Sequence, residues 1–298
     1  MPDFNISNRI VKLFPLFLFL VLFGGCTKKK TIAFYYWKSD CRVEKNFKYP
    51  LYVKVLDINK KGIFKTACFR AHIPVVYIEN DIFKTDIDVD KIVKREVKSE
   101  NIQFDCDWTL STKERYFSFL KRMKKIYKRV SVTIRLHQLK YFSRTGVPPV
   151  DEGVLMLYNM SDFKDPYTRN YVLDLKETKK YFKNFKSYPL KLNVALPIYS
   201  TAFVIRYGEV VGLIDDVRKK DLDSSFFETL GKNRFRVMKT RYFKGKLLYE
   251  GDILRVDEVD LNMLKEAVET IPFAFDRVIF FRYGNLKNWN IEDLKKII

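Results

Sequence analysis

Eight short runs of apolar or alternating residues recur from residue 31 onward, mostly separated by stretches that read as helices. That pattern restricts the chain to an α/β fold with a parallel sheet. In order the runs are Ile32–Trp37, Leu51–Ile58, Ile73–Ile78, Ile102–Trp108, Val130–Gln138, Gly153–Met160, Leu192–Tyr199 and Arg277–Tyr283. The clearest intervening helix is Ser111–Tyr127, opened by a capping box of Ser111 and Glu114. Its residues Tyr116, Phe119, Leu120, Met123, Ile126 and Tyr127 fall at helical spacing and form one apolar stripe. A second helix runs from Asp174, with Glu177 three residues on, to about Phe185. Eight strands with helical crossovers predict a (β/α)8 TIM barrel over residues 31–298, the first three units being the least distinct. Between strands 7 and 8, residues 201–256 predict a small α+β insertion that walls the barrel mouth. In it Phe203–Ile214 turns at Tyr207-Gly208 and Phe235–Leu254 turns at Lys244-Gly245, before Leu261–Thr270 resumes as a helix.

Two of the strands carry chemistry on one face. Along the fourth, Ile102, Phe104, Cys106 and Trp108 share an apolar side, whereas Gln103, Asp105 and Asp107 share the other. Two carboxylates on a strand face are costly to bury unless they line a wet cavity. The next strand repeats the division, with Val132, Ile134 and Leu136 opposite Thr133, Arg135 and His137. Polar side chains near the C-terminal ends of neighbouring strands point to a site at a barrel mouth. A half-solvated antiparallel sheet has the same alternation, and the intervening helices argue against it.

The N-terminus reads as an export signal. Arg9 and Lys12 form a basic start, Leu13 to Phe23 an apolar run interrupted by Pro15, and Gly24 and Gly25 the small residues before Cys26. Phe23-Gly24-Gly25-Cys26 resembles a bacterial lipobox, with Phe where Leu is more usual. That resemblance implies cleavage before Cys26 and lipidation of its sulfur and new amino group, leaving residues 26–30 as a lipidated tether. An uncleaved anchor or an ordinary secretory signal is the alternative. Thr27, rather than an aspartate, favours outer-membrane sorting, and Lys28, Lys29 and Lys30 suit anionic head groups. The formal net charge of the 298 residues is +20, and removing residues 1–25 lowers it by one. An exported chain meets no genomic nucleic acid, so cell-wall glycans, lipid head groups or acidic polymers are the expected partners. Coding bias in an AT-rich genome accounts for the lysines equally well. Cys41 and Cys68 are free to pair in an oxidising compartment, although nothing in the sequence requires it, and Cys106 reads as a small core residue. Only His72 and His137 are present, far apart, so neither a zinc site nor any other cofactor is expected.

Phe104-Asp105-Cys106-Asp107-Trp108 on the fourth strand and Met156-Leu157-Tyr158-Asn159 on the sixth together resemble the family 18 glycoside hydrolases, the chitinase-like barrels. Their fourth strand ends in Asp-x-Asp-x-Glu, their sixth carries Met-x-Tyr-Asp, and they place an α+β insertion after the seventh. A closer resemblance is to a group of exported bacterial lipoproteins of the same barrel type that has no settled function. It rests on Asp105–Thr109, Arg135–Gln138, Thr145–Pro149 and Leu155–Asn159. The family 18 resemblance implies that Asp105 and Asp107 are the strand aspartates and Tyr158 the sixth-strand tyrosine. It also places Thr109 where the family has its general acid and Asn159 where it has an aspartate. A threonine cannot protonate a glycosidic oxygen near neutral pH.

Glu79, on the parity of Ile73, Val75 and Tyr77, is the substitute acid to consider. Arg135 and His137 are suited to hold a carboxylate, phosphate or sugar hydroxyl, unless Arg135 only neutralises an aspartate and His137 is a satisfied buried imidazole. Tyr36, Trp37, Trp108, Tyr158, Tyr199 and Tyr283 offer faces for stacking on sugar rings, with Trp108 expected beneath the helices. The expectation is a lipid-anchored envelope protein that engages a carbohydrate at the barrel mouth. As an enzyme it would use Asp105, Asp107, Tyr158 and Glu79, with Trp37, Arg135, His137, Gln138, Asn159 and Tyr199 holding the glycan. The alternative is a structural or assembly lipoprotein whose barrel is a scaffold for protein contacts.

Overall fold

Eight parallel strands close on themselves in the computed structural model, which describes residues 30–298 apart from 67 and 69. The export signal, Cys26 and most of the tether lie outside the described residues. The strands are β1 (Thr31–Tyr36), β2 (Leu51–Asn59), β3 (Ile73–Ile78), β4 (Asn101–Asp105), β5 (Arg129–Arg135), β6 (Glu152–Met156), β7 (Leu192–Pro197) and β8 (Arg277–Phe281). Each pairs in parallel with the next, and β8 pairs with β1 to complete a (β/α)8 barrel.

Most strands end earlier than alternation alone predicts. β4 stops at Asp105, so Asp107 and Trp108 belong to a loop, and β5 passes at Arg135 into the short helix Leu136–Lys140. The difference has one cause: neighbouring strands stop pairing at the mouth while the apolar and polar residues continue to alternate in the loops.

Outward-facing residues pack on the helices. On Lys113–Met123, the side chains of Tyr116, Phe119, Leu120 and Met123 are buried. Phe119 meets Phe104 at 4.9 Å and Tyr116 meets Trp108 at 5.6 Å between ring centroids. Each such ring removed from water contributes about 2–3 kcal/mol. This helix is shorter than expected at both ends, and Ile126 is exposed beyond it. Its N-cap is Thr112 rather than Ser111, because Ser111 turns to the Thr109 hydroxyl and Glu114 points to solvent. Trp108 lies beneath the helices, its indole donating to the Thr145 carbonyl. Gly146, at φ 81°, leaves no room for a side chain, since a Cβ would stand 2.8 Å from the Phe117 ring.

The first two crossovers have no helix. Residues 37–50 join β1 to β2 as a loop, and Gly62–Lys65 returns antiparallel on β2. A Cys41–Cys68 disulfide ties this sector together across 27 residues. Closing a loop of that length contributes about 3–4 kcal/mol by chain entropy, offsetting the missing helical packing.

Between β7 and β8 the insertion forms a five-stranded antiparallel sheet. Its order is Glu209–Asp215, Thr201–Arg206, Ile253–Asp257, Arg234–Val237, Phe227–Gly231, and the hairpin Arg241–Phe243 with Lys246–Leu248 covers it. Both expected turns are present, with Tyr207, Gly208, Lys244 and Gly245 all at positive φ. Leu261–Thr270 then returns the chain to the barrel.

Candidate functional site

Inside the barrel the side chains rise in layers. Lowest are Glu152, Asn193, Arg277 and Tyr52, where Glu152 accepts from Arg129 at 2.9 Å and Arg277 donates to the Tyr52 hydroxyl at 3.0 Å. Above them Tyr35 donates to Gln103 at 2.7 Å. The next layer is Asp105, which accepts from the Thr133 hydroxyl at 2.6 Å. Uppermost, Arg135 grips Asp107 with two hydrogen bonds of 2.7 and 2.9 Å. The order follows from strand parity: Gln103 and Asp105 on β4 face Ser131, Thr133 and Arg135 on β5.

A cavity of about 200 Å³ opens on the last layers, at the C-terminal mouth. Tyr35, Trp37, Tyr77, Tyr158 and Phe281 form its walls, and Asp105, Thr133, Arg135, Met156 and Asn159 complete it. Four of these five rings touch in series. Tyr158 stacks on Phe281 at 5.1 Å, and Trp37 meets both Tyr35 and Phe281 at 5.8 Å. Asn159 adopts φ 55°, which an asparagine tolerates, and the Tyr199 hydroxyl donates to its side chain. Tyr199 itself lines an adjoining space of about 190 Å³ beneath the insertion, with Phe163, Tyr171, Phe203 and Arg282.

The electrostatics are set by burial. It pushes the Asp105 carboxyl up to about 6 against the pull of the Thr133 hydrogen bond, and Asp107 adds to the rise. Burial, with Asp105 and Asp107, raises the Tyr77 phenol to about 12 and holds the Tyr158 phenol neutral, and burial with Tyr158, Tyr52 and Asp105 does the same for Tyr35. Burial opposes the Arg135 charge, but Asp107 more than offsets it and keeps the guanidinium ionised. His137 stands outside the main cavity in a side pocket, its imidazole held below the usual range by partial burial.

The expected site residues divide into two groups. Asp105, Trp37, Arg135, Tyr158 and Asn159 line one cavity, and Asp107 stands on its rim. Glu79 is not among the lining residues. β3 ends at Ile78, the chain turns, and the Glu79 carboxylate accepts the Lys60 backbone amide at 2.7 Å. Gln138 lies buried below the mouth, accepting from the Arg135 amide and donating to the Trp108 carbonyl. Tyr36 and Tyr283 face outward and hold the 37–50 loop through the Arg42 and Glu44 amides. Thr109 is exposed and bonded to Ser111, which places a hydroxyl where the family pattern has a carboxyl. Lining residues that sequence reasoning did not single out are Tyr35, Tyr77, Met156 and Phe281. Tyr77 was within reach, since it shares parity with Val75 and pairs in register with Asp105. Among the described residues no group of three His, Cys, Asp or Glu side chains is placed to hold a metal ion. No helix among them is long and apolar enough to cross a membrane.

No protein-family model matches this sequence, and no curated protein does. Solved structures match its fold. The spore cortex-lytic enzyme SleL of Bacillus megaterium QM B1551 superposes with a TM-score of 0.56 at 14% identity, over 89% of this chain and 73% of that one. SleL of Bacillus cereus gives 0.53 at 13% identity, over 86% and 71%. A chitinase from Chromobacterium violaceum ATCC 12472 gives 0.54 at 11% identity, over 86% and 94%. The fold is that of a chitinase-like TIM barrel.

Proposed function

We propose that this protein binds a carbohydrate in the aromatic cavity at its barrel mouth and holds it without cleaving it. The observation that carries the reading is the composition of that cavity: five aromatic side chains around Asp105, Thr133, Asn159 and Arg135. Aromatic faces stack on the C–H faces of a sugar ring, while the polar groups bond its hydroxyls. The neighbours in fold, named as a chitinase and cortex-lytic enzymes, support a glycan over other ligands.

The chemistry argues against turnover. Glycoside hydrolysis needs a protonated carboxyl to donate to the leaving oxygen, whether the attack comes from a second carboxyl or, in substrate-assisted enzymes such as family 18, from the substrate itself. Thr109 cannot donate so, and Glu79 is bonded to the Lys60 amide away from the cavity. Asp107 is neutralised by Arg135. Asp105 has a raised carboxyl, but it ends β4 only two residues before Asp107 and is not on a separate strand across the mouth.

The location in the envelope is part of the proposal. It rests on residues 1–26, and the Cys41–Cys68 disulfide supports it, because such bonds persist in oxidising compartments. Fatty-acid labelling that is lost in Cys26→Ala tests the anchor.

Calorimetric titration with chitin-type and wall-derived oligosaccharides, alongside an assay for new reducing ends, tests the activity. Binding without turnover is expected, weakened roughly tenfold in Trp37→Ala by the loss of one stacking face. New reducing ends that vanish in Asp107→Asn would make this an enzyme instead. Neither binding nor turnover would leave the scaffold reading, for which the exposed Tyr207 and Tyr242 of the insertion are the first surface to probe.

A further inference from the structure

The charges around the cavity are matched in pairs, with one carboxylate left over. Lys54 lies 2.8 Å from Asp57, and Arg135 is held twice by Asp107. Farther out, Arg282 faces Asp215 at 3.7 Å. Asp105 has no such cation. Among the described residues its one hydrogen-bond partner is the Thr133 hydroxyl, on Oδ1, which leaves Oδ2 without a donor on a residue that lines the cavity. Arg135 and Lys54 lie close enough to favour its charged form, yet neither bonds it, and each is already held by another carboxylate.

The walls suit the same kind of guest. The faces of aromatic rings carry negative charge and attract cations, ammonium groups above all. Two of the walls already do so, since the Lys54 ammonium stands 5.6 Å from the Trp37 ring centre and 5.9 Å from that of Tyr77. Lys54 has its own carboxylate in Asp57 and does not bond Asp105.

Resting on the carbohydrate reading above, we propose that the cavity recognises a de-N-acetylated amino sugar, whose free ammonium pairs with Asp105 between the aromatic walls. Acetylation of that nitrogen would remove the charge and add bulk inside a space of about 200 Å³. The groups that face Asp105 are Tyr35 on β1, Lys54 on β2, Tyr77 on β3, Gln103 on its own strand and Asp107 just beyond it, Thr133 and Arg135 on β5, and Tyr158 after β6, with His137 in the side pocket. Protonating Asp105 removes the partner of the ammonium, so affinity falls as pH drops through about 6.

The test is calorimetric titration of the full chain with a glucosamine tetramer and an N-acetylglucosamine tetramer, at pH 7 and pH 5. The expected result is roughly tenfold tighter binding of the glucosamine tetramer at pH 7, the scale of one charge-assisted hydrogen bond. That preference shrinks at pH 5 and disappears in Asp105→Asn, which melts no lower than the parent. Non-specific attraction cannot imitate the result, because a strongly basic protein repels a cationic oligomer. Equal or tighter binding of the acetylated tetramer, unchanged in Asp105→Asn, overturns the ammonium inference and leaves the carbohydrate reading standing. Failure of both tetramers to bind overturns the two together.

Discussion

Asp105 in the barrel and Asp257 in the insertion are both carboxylates that burial pushes up to about 6, yet their surroundings differ in kind. Asp257 is fully enclosed. It accepts from the Tyr171 amide at 2.9 Å, from Arg255 at 3.1 Å and from Asn233 at 3.1 Å. Arg255 is equally enclosed, lying on the Phe203 ring and donating to the Asp165 carbonyl at 2.6 Å. These bonds fasten the insertion to the loop between β6 and the helix Leu175–Phe182. Asp105, by contrast, has a single hydroxyl and an opening in front of it. Burial alone therefore does not distinguish a strut from a binding group. The number of lone pairs left without a donor does.

The largest effect is expected on the strut. Arg255→Met leaves a buried Asp257 with no cation, a change that costs about 3–5 kcal/mol. Urea unfolding at pH 7 should show that loss; without Arg255, which holds it down, the Asp257 carboxyl rises above 6, so the gap narrows as pH falls toward 6 and is constant below. A loss within about 0.5 kcal/mol, the range of ordinary surface changes, would show that the pair does not hold the insertion.

Asp105→Asn should act in the opposite direction. The folded-state carboxyl titrates near 6, above its usual 3.8, so the folded chain binds more protons than the unfolded chain in that window. Stability contributed by the protonated form is present below about pH 4 and is lost as pH rises through 6. The cost of the ionised group, at most about 3 kcal/mol, is complete above that. Asparagine does not titrate, so the variant should gain on the parent at pH 8 and match it at pH 4. Urea midpoints at the two pH values check this. A difference that does not change with pH would mean that the Asp105 carboxylate is satisfied in the folded chain.

How far the sequence reveals each region follows from the physics of strands. Parity along β4 and β5 identified Gln103, Asp105, Thr133 and Arg135 as interior, because alternation holds wherever a strand is paired. It failed past the last paired residue. Glu79 follows the end of β3 and turns to the Lys60 amide, and His137 lies on a helix that starts at Leu136. Tyr35 and Phe281 were hidden by abundance, since a chain with 26 Phe and 18 Tyr gives no reason to pick any one ring. The strut was hidden by distance: the donors to Asp257 include Tyr171 and Asn233, which no local pattern brings together. A missing helix in the first two crossovers and a disulfide in that sector are likewise consequences of tertiary closure, not of local propensity.

The smallest effect sharpens the comparison from its empty side. Glu79 is a half-buried carboxylate close to the mouth in sequence, and by parity it belongs with Tyr77, yet its oxygen is engaged by a backbone amide 2.7 Å away. Lys60, whose amide donates, has its own side-chain partner in Asp81. Glu79→Gln keeps an acceptor in the same place and removes only a charge near solvent. The expected change in stability is within about 0.5 kcal/mol, and glycan affinity should stay within roughly twofold of the parent because no cavity contact is altered. Titration of the variant with the same oligosaccharides decides the point. A tenfold loss of affinity, or of reducing-end release, would mean that the 79–84 segment closes over the mouth when a glycan binds. Glu79 would then stand beside the cavity and supply the acid that hydrolysis requires and Thr109 cannot provide.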